Sequence, residues 1–154
     1  MQKVAAHSTG AAVYVDYAHT PDALENVLRA LRPHVGKGGR LIAVFGCGGD
    51  RDAGKRAPMG EVVHRLADVA IVTDDNPRTE DAASIRAEVL RGCPGAREIG
   101  DRAEAIRASL GDLHAGDIVV IAGKGHEQGQ IVGEKVLPFD DAEVASRMMA
   151  EVDR

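Results

Sequence analysis

The sequence predicts an α/β domain: a doubly wound, mostly parallel, Rossmann-like sheet with helices on both faces and an antiparallel C-terminal edge. Three observations lead there. Apolar runs such as residues 40–46 (RLIAVFG), 68–74 (DVAIVTD) and 117–125 (DIVVIAGKG) are continuous, the pattern of strands covered on both faces. The first two are followed directly by segments of helical spacing, and strand–helix alternation makes successive strands parallel. Capping residues stand where those helices should begin.

Residues 1–10 read as a leader into the first strand, residues 11–18 (AAVYVDYA). Thr20 then supplies a capping hydroxyl and Pro21 a fixed φ suited to the first helical position. Leu24, Val27, Leu28, Leu31 and Val35 recur at helical spacing and form that helix's buried stripe. Residues 40–46 lead into a glycine-rich loop and a helix with Met59, Val62, Val63 and Leu66 on one side. Residues 68–74 lead through DNPRTED to a helix around Ile85 and Val89. A short run near REIG precedes a helix opened by Asp101 and Glu104 at capping-box spacing. After the last strongly buried strand, 117–125, the stretch QIVGEKVLPF reads as a hairpin turning at Gly133, expected to add the antiparallel edge. The closing helix begins at Asp140, with Glu143 three residues on, and buries Val144, Met148, Met149 and Val152. No repeat or linker divides the chain, so residues 1–154 read as a single domain.

Composition narrows the function. The formal charge of −5, from 19 basic and 24 acidic residues, argues against nucleic acid or a membrane surface as partner and leaves small charged ligands open. Cys47 and Cys93 have neither metal nor redox spacing, so buried free thiols and a reduced, cytoplasmic setting are expected. No apolar run approaches the roughly 20 residues of a membrane helix, and the N-terminus lacks a signal-peptide layout.

Ligands of such folds collect at the carboxyl ends of the strands. Polar residues cluster there: Asp16, Tyr17 and His19; Arg51, Asp52 and Lys55; Asp74, Asp75, Asn76 and Arg78; Lys124, His126 and Glu127. Gly49-x-x-x-x-Gly54-Lys55 nearly matches a phosphate-binding loop, but Arg56 stands where a magnesium-ligating hydroxyl is needed, and Asp50 and Asp52 would repel phosphate. Arg51 and Arg78 suit the carboxylates of a zwitterion, with Asp75 or Glu127 accepting from its ammonium. An Arg–Asp network that merely ties loops together has the same composition, and composition alone leans that way. Pro77 stiffens the motif so that Asn76 and Arg78 can be aimed. His64 and His114 fall on predicted helices, His7 and His34 carry no signal, and His19 and His126 sit at strand ends. GKGHEQG misses the dinucleotide fingerprint by one residue, and no nucleophile–base set is visible.

VYVDYAHTPDALENVL, GCGGDRDAGKR, DDNPRTED and AGKGHE, in this order and spacing, closely resemble the C-terminal domain of the Mur ligases, in particular the branch that adds meso-diaminopimelate. The resemblance implies a three-domain, ATP-dependent amide ligase of peptidoglycan synthesis, of which this chain matches only the last domain. It implies that UDP-N-acetylmuramoyl-L-alanyl-D-glutamate, Mg²⁺ and most of the ATP site belong to the other two domains, and that no catalytic or metal-ligating residue lies here. It implies a diaminopimelate site of Arg51, Asp75, Asn76, Pro77, Arg78, Gly123 and Glu127, with Asp16 and His19 facing ATP. A free-standing amino-acid-binding or interaction module is the alternative. A folate-glutamylating ligase would share DYAH, but DNPR and GKGHE argue against it.

Overall fold

A computed structural model describes residues 1–153. Its strands are β1 (Gln2–Ala6), β2 (Ala12–Asp16), β3 (Leu41–Phe45), β4 (Val69–Val72), β5 (Arg97–Glu98), β6 (Ile118–Ala122), β7 (Gly129–Val132) and β8 (Lys135–Pro138). Its α-helices are α1 (Pro21–Leu31), α2 (Arg56–Leu66), α3 (Ala82–Gly92), α4 (Arg102–Leu110) and α5 (Asp141–Val152).

Six strands form one sheet in the order β1-β2-β6-β3-β4-β5. All neighbours from β2 to β5 pair in parallel, while β1 pairs antiparallel with β2. The mostly parallel sheet with an antiparallel edge is therefore as expected, but the edge strand is a different one. It is β1, from the stretch read as a leader, and the hairpin β7–β8 forms a separate two-stranded sheet. The polar opening of β1 (Gln2, Lys3) hides it from a periodicity search, and an edge strand with exposed faces needs no continuous apolar run.

The central strands are buried on both faces, residue by residue. Leu41, Ala43 and Phe45 of β3 join Ile118, Val120 and Ala122 of β6 in a core covered by α1, α2 and α3. The alternate residues Ile42, Val44, Val119 and Ile121 face the other way, into a core closed by α4 and α5. Each fully buried aliphatic side chain contributes roughly 1.5–3 kcal/mol, and these two layers make the strand ends a rigid platform. The helix starts follow the capping signals: Thr20 accepts from the Ala23 N–H, Asp101 from Glu104 and Asp140 from Ala142 and Glu143. His114, by contrast, lies in the turn between α4 and β6 rather than on a helix.

One ion pair is sealed inside. Arg102 and Asp141, each at a helix start, have fully buried side chains and meet through two hydrogen bonds, at 2.8 and 2.7 Å. The same guanidinium donates to the carbonyls of Asp74 and Ala122, at the ends of β4 and β6. It therefore fixes the separation of two strand ends from which site loops depart. Replacing Asp141 with Ala would strand a buried cation, and urea unfolding of that variant should show a loss of about 3–5 kcal/mol.

Candidate functional site

Strand order sets the position of the site. β6 inserts between β2 and β3, and the loops leaving β2, β3, β4 and β6 converge around a cavity of ≈ 320 Å³. Tyr17 and His19 come from the first loop, Gly46–Gly48, Arg51 and Lys55 from the second, Asp75, Asn76 and Arg78 from the third, and Gly123 and Glu127 from the fourth.

The third loop is held from inside. Lys124 is fully buried, and its ammonium donates to Asn76 Oδ1 (2.7 Å) and the Gly129 carbonyl (3.1 Å) while lying 3.0 Å from Asp75 Oδ1. Apart from that ion-pair contact, Asp75 Oδ1 receives no directed hydrogen bond. Asn76 Oδ1 also accepts from the Ile131 N–H (2.9 Å), so its carboxamide oxygen is occupied by the protein. Arg78 follows with φ +53°, a left-handed backbone that costs a non-glycine residue of order 1–3 kcal/mol unless its surroundings fix it. They do: its N–H donates to the Ile131 carbonyl and its carbonyl accepts from the Gly133 N–H.

The Arg78 side chain reaches the cavity. Its Nη1 donates to the Gly49 carbonyl (2.9 Å), and no carboxylate among the described residues lies within ion-pair distance. The glycine-rich loop is shaped around it. A Cβ on Gly48 would sit 2.8 Å from Arg78 Nη1, and one on Gly49 would collide with the Pro77 carbonyl at 1.9 Å. The Gly49 N–H in turn donates to the Asn76 carbonyl (2.7 Å). Arg51 is exposed, donates only to the neighbouring Asp50 carbonyl, and also meets no carboxylate among the described residues.

An Arg–carboxylate network does tie these loops together, but other arginines make it. Arg56, buried at the start of α2, donates to Glu80 (2.8 Å), Glu88 (2.6 Å) and the Gly48 carbonyl (3.1 Å). Asp50 accepts from the Thr79 N–H and hydroxyl, and these bonds hold its carboxyl below the usual range. Arg56 does the same to Glu80. With those acids engaged, Arg51, Lys55 and Arg78 remain as cations open to a ligand. Asp52, suspected of repelling phosphate, caps the turn at Gly54, and Arg56 occupies the hydroxyl position of a phosphate loop for structural reasons.

The fourth loop supplies negative charge. Gly123, at φ +118°, lets the backbone pass Asp75, since a Cβ there would lie 2.9 Å from Asp75 Oδ2. Glu127 faces the same space with its side chain 36% exposed, and its Oε1 lies 4.0 Å from Lys124 Nζ. As hydrogen-bond acceptor and negative neighbour it pushes the Tyr17 phenol up. His19 packs edge-on against Tyr17 at 5.0 Å, its Nδ1 2.9 Å from the Tyr17 carbonyl.

Among the residues singled out from the sequence, Arg51, Asp75, Asn76, Arg78, Gly123, Glu127 and His19 line one cavity. Pro77 and Asp16 do not. Pro77 presses its carbonyl toward Gly49 and borders a hollow behind the loop, with Gln130 and Arg102. Asp16 caps the strand end by accepting from the Ala18 N–H (2.8 Å) and lines an adjacent hollow of ≈ 440 Å³ with Tyr17, His126 and Glu127. Lys55 and Tyr17, noted at strand ends but given no role, line the main cavity, as does Cys47. Lys124 was legible only as a rim lysine; its burial follows from the packing of β7 and the third loop around it, and where the hairpin packs has no signal in the sequence. No cluster of His, Cys, Asp or Glu among the described residues could hold a metal, and no helix is long and apolar enough to cross a membrane.

Fold and site thus define an α/β domain that presents unpaired cations beside carboxylates, as a holder of a charged small molecule does. A profile of the family "Mur ligase, glutamate ligase domain" matches residues 1–125, and the chain belongs to that family. It is 60% identical over 153 residues to the UDP-N-acetylmuramoyl-L-alanyl-D-glutamate--2,6-diaminopimelate ligase of Caulobacter vibrioides, and 59% identical over 153 residues to that of Agrobacterium fabrum. Each alignment covers 99% of this chain and 31% of the relative, so the chain spans about a third of the length of these relatives. A solved structure of a UDP-N-acetylmuramoyl-L-alanyl-D-glutamate--2,6-diaminopimelate ligase superimposes with a TM-score of 0.91 at 45% identity, covering all of this chain and 32% of that one.

Cys47 lines the cavity as a buried thiol. Burial first, and then the Asp75 charge, push its thiol up to about 12, while Met59 Sδ lies 3.5 Å from Sγ. At pH 8 its thiolate fraction falls by about a thousandfold relative to an ordinary thiol. Alkylation at that pH should therefore be slow in the folded chain and become rapid only in denaturant, as followed by mass spectrometry.

Proposed function

We propose that this chain is the amino-acid-holding domain of an ATP-dependent ligase that joins meso-diaminopimelate to UDP-N-acetylmuramoyl-L-alanyl-D-glutamate in the cytoplasm. The observation that carries the reading is the Arg78 guanidinium, aimed into the cavity and left without a carboxylate while Asp50, Glu80 and Glu88 beside it are engaged by other partners. Similarity to diaminopimelate ligases over nearly the whole chain supports it.

The ligand matches the charges in kind. Arg78 takes one carboxylate through the fork that its Gly49 contact leaves free, and Arg51 takes the other. Glu127, the more open of the two acids, accepts from the far ammonium together with Asp75 Oδ2, because Asp75 Oδ1 already faces Lys124. Lysine lacks the distal carboxylate and would leave Arg78 desolvated without a partner. That omission costs about 1–3 kcal/mol, roughly tenfold to a hundredfold in preference.

The ligase chemistry is acyl phosphate formation on the D-glutamate side-chain carboxylate, followed by attack of the diaminopimelate amine and release of phosphate. In this reading the chain's residues hold that amine in place, a proximity effect. His19 and Tyr17 form the wall nearest the nucleotide, with Asp16 in the adjoining hollow. No group of three or more His, Cys, Asp or Glu side chains among the described residues is gathered around one point, and no step on this chain is routed through Mg²⁺.

In the full-length ligase, Arg78→Ala should raise the KM for meso-diaminopimelate about tenfold to a hundredfold and leave the KM for ATP within about twofold, by steady-state phosphate release. Equal rises for both substrates would count against the reading. Calorimetric preference of the chain for lysine over meso-diaminopimelate would overturn it.

A further inference from the structure

The motif Asp75–Arg78 is held by a segment that lies beyond the family profile, which ends at residue 125, ahead of β7. β7 and its turn contact the motif at successive positions. Gln130 Nε2 donates to the Asp75 carbonyl (2.8 Å), and the Ile131 N–H donates to Asn76 Oδ1 (2.9 Å). The Arg78 N–H donates to the Ile131 carbonyl (3.0 Å), and the Gly133 N–H donates to the Arg78 carbonyl (2.6 Å).

These bonds are separate from the hairpin's own ladder. β7 pairs with β8 along one edge, and its other edge is taken by Arg78, which bridges Val132 in the parallel sense. Val136 and Leu137 of the hairpin remain exposed, and a two-stranded ribbon is marginal by itself. Hairpin and motif therefore stabilise each other. A left-handed backbone at a non-glycine residue persists only where its neighbours over-determine it, and here both main-chain groups of Arg78 are taken by the hairpin. The direction in which its side chain leaves the backbone is set there.

We infer that the β7–β8 hairpin is the specificity-determining element of this site, with Gln130 and Gly133 as positioning residues that aim Arg78 at the far carboxylate of the diamino diacid. The inference rests on the function proposed above. It separates two tasks: the parallel sheet holds the platform common to the family, and the hairpin aims the one guanidinium that reads the acceptor's remote end.

Two substitutions test it without touching the ligand. Gln130→Met keeps length and removes the donor to Asp75. Gly133 stands at φ +61° with open space around a built Cβ, so Gly133→Val strains the turn without a clash, and Gly133→Asn keeps a residue that tolerates the left-handed region. In the full-length ligase, Gln130→Met and Gly133→Val should each raise the KM for meso-diaminopimelate about tenfold and shrink its kcat/KM preference over lysine about tenfold. The KM for ATP and for the UDP-linked dipeptide, and kcat, should stay within about twofold, and Gly133→Asn should behave as wild type. Should Gly133→Val fail to fold, Gln130→Met decides. An unchanged meso-diaminopimelate KM in the folded variants would overturn the inference, as would equal rises for all three substrates accompanied by a lower Tm. A wild-type enzyme that refuses meso-diaminopimelate would instead overturn the functional reading and the inference with it.

Discussion

The site is organised around a cation that the protein declines to neutralise. A guanidinium in a folded chain usually finds a carboxylate, and Asp50, Glu80 and Glu88 all lie on or beside the loops that flank Arg78. Each is engaged elsewhere: Asp50 by Thr79, Glu80 and Glu88 by Arg56. What Arg78 receives is a carbonyl, Gly49, which orients one nitrogen and leaves the charge unanswered. Several otherwise arbitrary choices follow. Gly49 must lack a side chain for the two loops to meet, a Cβ on Gly48 would push against the Arg78 guanidinium, and Arg78 must take a backbone conformation that arginine ordinarily avoids.

Behind that cation the interior is unusually charged, and almost everything in it is paired. Arg102 and Asp141 are sealed beneath the sheet's carboxyl edge, and Lys124 is sealed beneath the third loop. Burying such groups carries a desolvation cost of several kcal/mol per ion, which only good geometry and added hydrogen bonds offset. The geometry is present in both cases, and in both the cation also donates to main-chain carbonyls: Asp74 and Ala122 for Arg102, Gly129 for Lys124. These charges bind backbone to backbone. They contribute less to net stability than a well-packed apolar layer would, but they hold loops with few apolar residues at defined separations, which hydrophobic contact cannot do.

Legibility in the sequence tracked how local each cause is. The parallel strands and all five helices were readable because continuous apolar runs and capping residues lie within a few positions of what they determine. β1 was missed because an edge strand needs only one partner and little burial, so its pattern is weak. The hairpin was legible as a hairpin, but not its place beside the third loop, because main-chain bonds between residues 78, 131 and 133 have no signature in residue type. The same limit applied within the site. Which residues gather at the strand ends followed from topology, whereas the separation of Arg51 from Arg56, with the same side chain five positions apart, rested on the motif resemblance and not on residue type. Only the position of α2 makes one a buried strut and leaves the other open.

The open face of the cavity bears on how selection is achieved. Arg51 is exposed, and a charge pair formed in water is worth little, because the solvent screens both partners as well as they satisfy each other. The penalty for an absent carboxylate grows only when water is shut out, since an unpartnered cation is tolerated in solvent and costly away from it. A domain with an open cation-lined cavity therefore has the directions of recognition without its full strength. The remaining strength must come from a surface that closes over the cavity, which in the proposed ligase would belong to the rest of the enzyme. Closure then acts twice: it makes Arg78 discriminate, and it keeps water from an acyl phosphate awaiting the amine. Accuracy and protection of the intermediate follow from the same exclusion of solvent.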